Sequence, residues 1–345
     1  MRNKLFVLAS LVMVLTMILT ACATPAPQVI VQTQVVEKVS TQVVEKSVEK
    51  VVTATPVPPT AAPTKAPTKA SDTVVIAMQQ EPDTLHPLIG SMMARTLVLL
   101  AMFPGCMSQN DKAEWIPLGC ETIPTVDNGG AKLVGDGKDQ HLEITYKIKK
   151  DWRWTDGTPV TSKDAIYSWK LQMNPDFEAA DRSAIEKIYD IKAVDDKTFV
   201  TSLMSEAQAK DAAAGTLKGN VDFAKFKQDY VDSAYDTQAG AVVDPAYWNL
   251  GWAAGTWLPE HILNKVAAKD QAASDWAKKP VSDGPYVIKE WKPGQEIILE
   301  KSDKPYPLGD PKIKTVIFRF FADTSAVISA LQKGEVDVVT ETGGL

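Results

Sequence analysis

The chain has 345 residues, 45% of them apolar, which is enough for a large core and about two domains. The net charge is −6, but residues 1–71 carry seven basic and three acidic side chains, which leaves −10 on the remainder. A folded part this acidic is unsuited to nucleic-acid phosphates. Three cysteines are too few for a disulfide-built fold, and three histidines limit imidazole metal centres.

The N-terminus carries an export pattern. Arg2 and Lys4 precede an apolar run over residues 5–19, which is short for a membrane span and typical of a signal-peptide core. The run ends in Leu19-Thr-Ala-Cys22, which resembles the bacterial lipobox. Residues 1–22 are therefore predicted to be a lipoprotein signal peptide, with lipidation at Cys22. The alternatives are an uncleaved anchor helix or ordinary cleavage nearby.

Residues 23–71 have the composition of a tether. Thr-Gln-Val-Val-Glu-Lys occurs twice, at 33–38 and 41–46, and a Pro/Thr/Ala-rich stretch follows. That stretch cannot build a core and is expected to be extended. We predict a low-complexity linker over 23–71, with partner binding by the repeat as the alternative. The protein should then be lipid-anchored outside the cytoplasm, in the periplasm or on the outer face of the cell membrane.

The folded part, residues 72–345, begins with a strand. Three consecutive β-branched residues within 71–79 predict a buried strand, and the two prolines of 81–88 predict a loop. Residues 92–103 are apolar enough for a buried helix. Strict alternation over 141–150 predicts a strand with one exposed face.

The last part of the chain predicts a parallel unit. Residues 288–301 form a hairpin pattern turned at Pro293-Gly294, and 314–321 is a strong strand. A helix over 323–334, capped by Asp323, leads to a strand over 336–340. Strand, helix and strand at this spacing indicate a βαβ unit, so the class is α/β, mixed with antiparallel hairpins.

The stretch WRWTDGTPVTSKDAIYSW, residues 152–169, concentrates tryptophans and carboxylates. Asp156 lies in turn chemistry, and Asp164 completes a capping box begun by Thr161. The aromatic side chains alternate or fall on one helix face, as packing residues do. We therefore interpret this stretch as scaffold and not as an active site.

Catalytic and metal motifs are absent from the sequence. It contains no nucleophile elbow, phosphate loop, dinucleotide-binding fingerprint or zinc-protease helix motif. His86, His141 and His261 lack ligand spacing, and the loops at Asp127 and 135–139 are interpreted as turns. No enzyme, cofactor or metal is predicted. An anchored hydrolase would need a nucleophile and base that the sequence does not offer.

Five motifs together carry a family resemblance. The block from Tyr146 to Trp169 resembles that of the family 5 extracellular solute-binding proteins, the peptide- and nickel-type binding lipoproteins of ABC importers. Four further motifs occur in the family's order, although His86 stands where Asp is more usual. They are 81–87, 257–263, 284–294 and 331–337.

The resemblance implies a periplasmic-binding-protein-like fold of type II, similar to cluster C. The expected function is capture of a peptide or similar small solute and its delivery to a permease by lobe closure. ABC permease and ATPase subunits would be the partners, nucleic acid would not, and a monomer is expected. Because the family crosses into its second lobe near the position of Leu345, only the first lobe is expected here. A surface sensor or adhesion protein, or a non-functional fragment, is the alternative.

The resemblance also implies ligand contacts. In oligopeptide-binding relatives the segment equivalent to Gly90, Ser91, Met92 and Met93 lines the cleft, although a helix start is an equally open interpretation. Thr340 and Glu341, at the hinge end, are further candidates.

Cys106 and Cys120 flank a predicted hairpin and could pair outside the cytoplasm, which would contribute about 3 kcal/mol by loop closure. Two buried free thiols are the alternative.

Overall fold

The computed structural model describes residues 72–182, 185–226, 256–307 and 309–340. Within these residues the strands are β1 Thr73–Met78, β2 Met107–Gln109, β3 Trp115–Pro117, β4 Ala131–Val134, β5 His141–Lys147, β6 Ile188–Asp195, β7 Thr198–Leu203, β8 Tyr286–Lys292, β9 Glu296–Lys301, β10 Thr315–Phe320 and β11 Val338–Val339. The α-helices are α1 Met93–Leu100, α2 Ser162–Gln172, α3 Glu206–Ala214, α4 Glu260–Leu263 and α5 Thr324–Gln332.

A five-stranded sheet, in the order β11-β1-β10-β9-β8, contains the first and last described strands of the chain. β1 pairs in parallel with both β10 and β11, whereas β8, β9 and β10 are antiparallel. On one face Val75 and Ala77 pack against α5 through Val327 and Ala330. The other face contributes Met78 and Phe318, among others, to the main core.

A four-stranded antiparallel sheet, in the order β4-β5-β7-β6, supports the rest of the main core. Along β5 the buried residues alternate with half-buried ones, as the sequence pattern predicted. Tyr146 stacks on Phe199 of β7 with ring centroids 5.0 Å apart, and Phe199 meets Trp257 edge-on at 5.4 Å. A small hairpin of β2 and β3 completes the strands described.

Helix and hairpin ends follow local side-chain chemistry. The capping box of Thr161 and Asp164 is present at the start of α2, and Asp323 caps α5 by accepting from the Ala326 N–H at 2.8 Å. Both caps satisfy backbone donors that a helix start would otherwise leave free. Gly294 turns the β8–β9 hairpin with a positive φ of 70°, which only glycine adopts readily.

Most predicted elements are confirmed, with three corrections. The helix predicted as buried over 92–103 ends at Leu100, whose side chain is 66% exposed, so only one face of α1 is buried. The strand predicted over 336–340 is reduced to Val338–Val339. The βαβ unit is parallel as predicted, but β1 inserts between its two strands. Periodicity could not reveal that insertion, because the partner strand lies at the far end of the sequence.

Candidate functional site

The tryptophan-rich stretch is confirmed as scaffold. Trp152, Trp154 and Trp169 are each at most 1% exposed, so none of them can meet a substrate. Trp152 donates from Nε1 to the Asp283 carbonyl at 2.9 Å, which links the stretch to the segment before β8. Thr155 strengthens that link, because its N–H donates to the Ser282 carbonyl at 2.7 Å.

The carboxylates of this stretch hold the segment around α4 in place. Asp164 accepts from the Thr161 N–H at 2.7 Å and from the Glu260 N–H at 2.9 Å. Asp156 and His261 are paired, with 2.7 Å between Oδ2 and Nε2. Two of the five sequence motifs, 146–169 and 257–263, therefore interlock through hydrogen bonds, and the segment just before a third motif is joined to the first. The carboxylates Asp156 and Asp164 have structural partners in this arrangement.

Lys197 is a structural residue that sequence reasoning missed. Its Nζ donates to the Val160 carbonyl at 2.6 Å and to the Lys149 carbonyl at 3.2 Å. It also lies 3.5 Å from the Trp152 carbonyl, so one lysine contacts three carbonyls and fixes the path of the 149–160 loop. No local pattern marks such a lysine, because its acceptors are distant in sequence.

Two buried carboxyl groups of the interlocked region have unusual electrostatics. Burial raises the pKa of Asp164 above its ordinary value, although its backbone hydrogen bonds oppose the shift. Burial also raises the pKa of Asp283, and the neighbouring Asp164 charge adds to the effect. Neither carboxylate oxygen of Asp283 has a hydrogen-bond partner in the described part of the chain. A protonated, neutral Asp283 is therefore favoured.

His86 is a core residue. It is fully buried between Phe177 and Trp276, with ring centroids 5.6 and 5.3 Å away. Its Nδ1 accepts from the Leu88 N–H at 3.2 Å. Burial lowers the pKa of His86 to about 4, so the imidazole is neutral near pH 7. This neutral histidine stabilises the loop that leads to α1.

The predicted ligand segment lies at the start of α1. Gly90 has a positive φ of 70°, Ser91 is exposed, Met92 occupies the N-cap position and Met93, the first helical residue, is 48% exposed. This agrees with the helix-start interpretation and leaves the segment accessible, so its ligand role stays a prediction. Arg95, which no local sequence pattern marks, is buried immediately beside this segment.

Thr340 occupies the carboxyl end of β11. Its N–H and Oγ1 both donate to the Ala77 carbonyl, at 3.2 and 3.0 Å, so it continues the pairing with β1. It also borders an apolar groove of about 340 Å³ between α1 and the sheet. The groove is lined by Val74, Ile76, Leu97, Leu100, Ala101, Tyr286, Ile313, Val316, Phe318 and Thr340. Glu341 and Cys22 lie outside the described residues.

Both candidate segments follow strands of the parallel part of the sheet. Because β11, β1 and β10 run in parallel, their carboxyl ends meet at one edge. The loop after β1 starts there, since Glu81 accepts from the Gly294 N–H of the adjacent hairpin at 2.9 Å. In open α/β sheets ligands bind outside the carboxyl ends, where strand order reverses around a central strand. This edge is therefore the candidate site.

In the structure Cys106 and Cys120 are joined by a disulfide, with Cα atoms 4.8 Å apart. Among the described residues no group of three or more His, Cys, Asp or Glu side chains could hold a metal ion. The same residues include no helix both long and apolar enough to cross a membrane.

The chain belongs to the bacterial extracellular solute-binding proteins, family 5, because it matches the family's middle region over residues 135–344. Members of this family are binding components of transporters and not enzymes, in agreement with the missing catalytic motifs.

Comparisons with individual proteins agree with this family assignment. The oligopeptide-binding protein AppA of Bacillus subtilis is 26% identical over 201 residues, which cover 58% of this chain and 30% of that protein. The structure of the same AppA with a nonapeptide matches with a TM-score of 0.58 at 21% identity, over 77% of this chain and 43% of that one. NikZ of Campylobacter jejuni with Ni(L-His) matches at 0.53 and 15% identity, over 79% and 43%. The chain thus spans less than half the length of these relatives.

Proposed function

We propose that this chain is part of the substrate-binding component of an ABC importer. It would capture a peptide or similar small solute outside the cytoplasm and deliver it to a permease. The observation that carries the proposal is the family match over residues 135–344, together with relatives named as oligopeptide-binding proteins. The proposal is supported by an accessible segment at the start of α1, in the connection that follows β1, where a solute could be held.

The proposed division of the chain follows the sequence. Residues 1–22 would be a signal peptide cleaved before Cys22, residues 23–71 a tether and residues 72–345 the solute-binding part. Lipidation of Cys22 would hold the protein at the membrane surface, facing a permease. The family's description as extracellular supports the location.

Peptide capture is tested by calorimetric titration of the whole chain with tetra-alanine. We expect saturable binding in which Met93→Glu weakens affinity at least about tenfold, as for a central contact residue. Leu133→Glu is the matched control, because Leu133 is 45% exposed on β4, compared with 48% for Met93. Equal effects of the two substitutions would remove the 90–93 segment from the site. Absence of binding would contradict peptide capture by this chain.

The anchor is tested separately by labelling cells with radioactive palmitate. The Cys22→Ser variant should lose the label and leave the membrane fraction. A Cys106→Ser/Cys120→Ser variant should keep both, because those cysteines lie within the folded part. Label that persists without Cys22 would contradict the lipoprotein assignment.

A further inference from the structure

Arg95 occupies a position in α1 that is normally unfavourable for a positively charged side chain. It is the third residue of α1, yet it is 5% exposed and sits where the helix dipole is positive. The first turn contains no acidic residue, and Met92 provides no side-chain cap. A buried cation at an uncapped helix N-terminus is unfavourable in two ways, since both desolvation and the dipole oppose the charge.

The guanidinium of Arg95 is also incompletely bonded. Its Nη2 donates to the Gly90 carbonyl, but Nε and Nη1 have no hydrogen-bond partner in the part of the chain that the structure describes. Burial lowers the pKa of Arg95, and the negative charge of nearby Asp83 opposes that shift. Burying an arginine with two unbonded donor nitrogens costs free energy of folding. Such departures from ordinary side-chain bonding are concentrated at functional sites.

Gly90 leaves room beside these donors. A Cβ atom at this position would lie 2.9 Å from Arg95 Nη1 and 3.4 Å from Asp83 Oδ2, so only glycine fits between the two charges. Its positive φ turns the chain immediately before the exposed Ser91 and the free N–H groups of the helix start. The positive charge, the helix dipole and the unbonded donors therefore converge on the segment from Gly90 to Met93.

We propose that the N-terminus of α1 and Arg95 form a subsite for a carboxylate group of the bound solute. The carboxylate would be held by the first N–H groups of α1 and by the guanidinium, displacing the Asp83 carboxylate as its counter-charge. This inference rests on the proposed function and adds the chemical class of the solute. A neutral solute would leave the positive charge of Arg95 and the positive end of the helix dipole without a counter-charge.

The subsite itself is tested with acetate on the whole chain. The amide NMR signals of Met93, Ala94 and Arg95 should shift saturably with sodium acetate and not with equal concentrations of acetamide or sodium chloride. Asp83→Asn, which keeps the arginine and removes its competitor, should tighten acetate binding several-fold. Arg95→Lys and Arg95→Met should both weaken it, whereas Arg153→Met, which removes the same charge at an exposed position, should not. No saturable acetate shift, or no effect of Asp83→Asn, overturns the inference.

Peptides then separate this inference from the proposed function. Tetra-alanine should bind at least about tenfold more tightly than its C-terminal amide, as expected for loss of a charge-assisted hydrogen bond. A glutamate-containing peptide amide that regains the affinity would identify an acidic side chain as the source of the carboxylate. If acid and amide bind equally, peptide capture stands and the carboxylate subsite fails. If acetate binds as expected and no peptide does, the subsite stands and peptide capture fails.

Discussion

The region around α2 and the region around α1 differ in how far their polar side chains are bonded to distant parts of the chain. Around α2, Asp164, Ser168 and Lys197 all have partners, and hydrogen bonds join motifs about 100 residues apart in sequence. Around α1, Arg95 has idle donors, the helix is uncapped, and Met93 and Leu100 expose apolar surface. Side chains that bond across distant segments specify the fold, whereas a partly bonded charge beside an accessible helix start is available for a ligand or partner.

Truncation of a core tryptophan should produce the largest loss of stability. Trp169→Ala removes a fully buried indole from α2, so we expect about 3–5 kcal/mol less free energy of unfolding. Leu100→Ala on α1 should change it by less than about 0.5 kcal/mol, because that side chain is mostly exposed. Urea denaturation of both variants measures the contrast, and similar losses would refute the distinction between the two regions.

Loss of the disulfide should have the next largest effect. Cys106 and Cys120 enclose a loop with a sequence separation of 14, so a Cys106→Ala/Cys120→Ala variant should lose about 3 kcal/mol by loop-closure entropy. Thiol titration of the unfolded wild type should find neither of these two thiols free unless reductant is added. Two free thiols under oxidising conditions would show that the pair exists as buried cysteines.

His86 should make the region before α1 sensitive to acid. Its pKa is about 4 when folded and near 6.5 when unfolded, so the unfolded state binds the proton more readily. This contribution to stability is fully present above pH 6.5 and is lost as pH falls towards 4, by about 3 kcal/mol at most. His86→Asn should flatten the pH dependence of urea midpoints in that window. An unchanged slope in His86→Asn would contradict the assignment.

The pair of Asp156 and His261 should have the smallest effect. The two side chains are 32% and 30% exposed, so solvent screens the attraction and Asp156→Asn should cost less than about 1 kcal/mol. A double-mutant cycle with His261→Asn measures the coupling. A coupling well above that value would mean that this surface pair, and not the buried bonds of Asp164, fixes α4 against α2.

The sequence was sufficient to predict most of the helices and strands, but it was insufficient to predict the residues of the candidate site. The alternation around Tyr146, the capping box at Thr161 and the cap at Asp323 are local signals, and the structure has all three. The buried position of Arg95 is not a local signal, because it depends on the packing of α1 under the 81–90 loop. The insertion of β1 beside β10 and the carbonyl partners of Lys197 likewise depend on residues distant in the chain.

The position of β1 has a consequence for how the chain folds. The Val75 N–H donates to Asp337 Oδ2 at 2.7 Å across 262 residues, and both neighbours of β1 come from the last part of the chain. Strand β1 therefore stays unpaired until residues 315–339 have been synthesised, and closing so long a loop slows folding. A chain whose first strand waits for partners this distant in sequence remains unfolded longer, which would suit the proposed export through a narrow channel before folding.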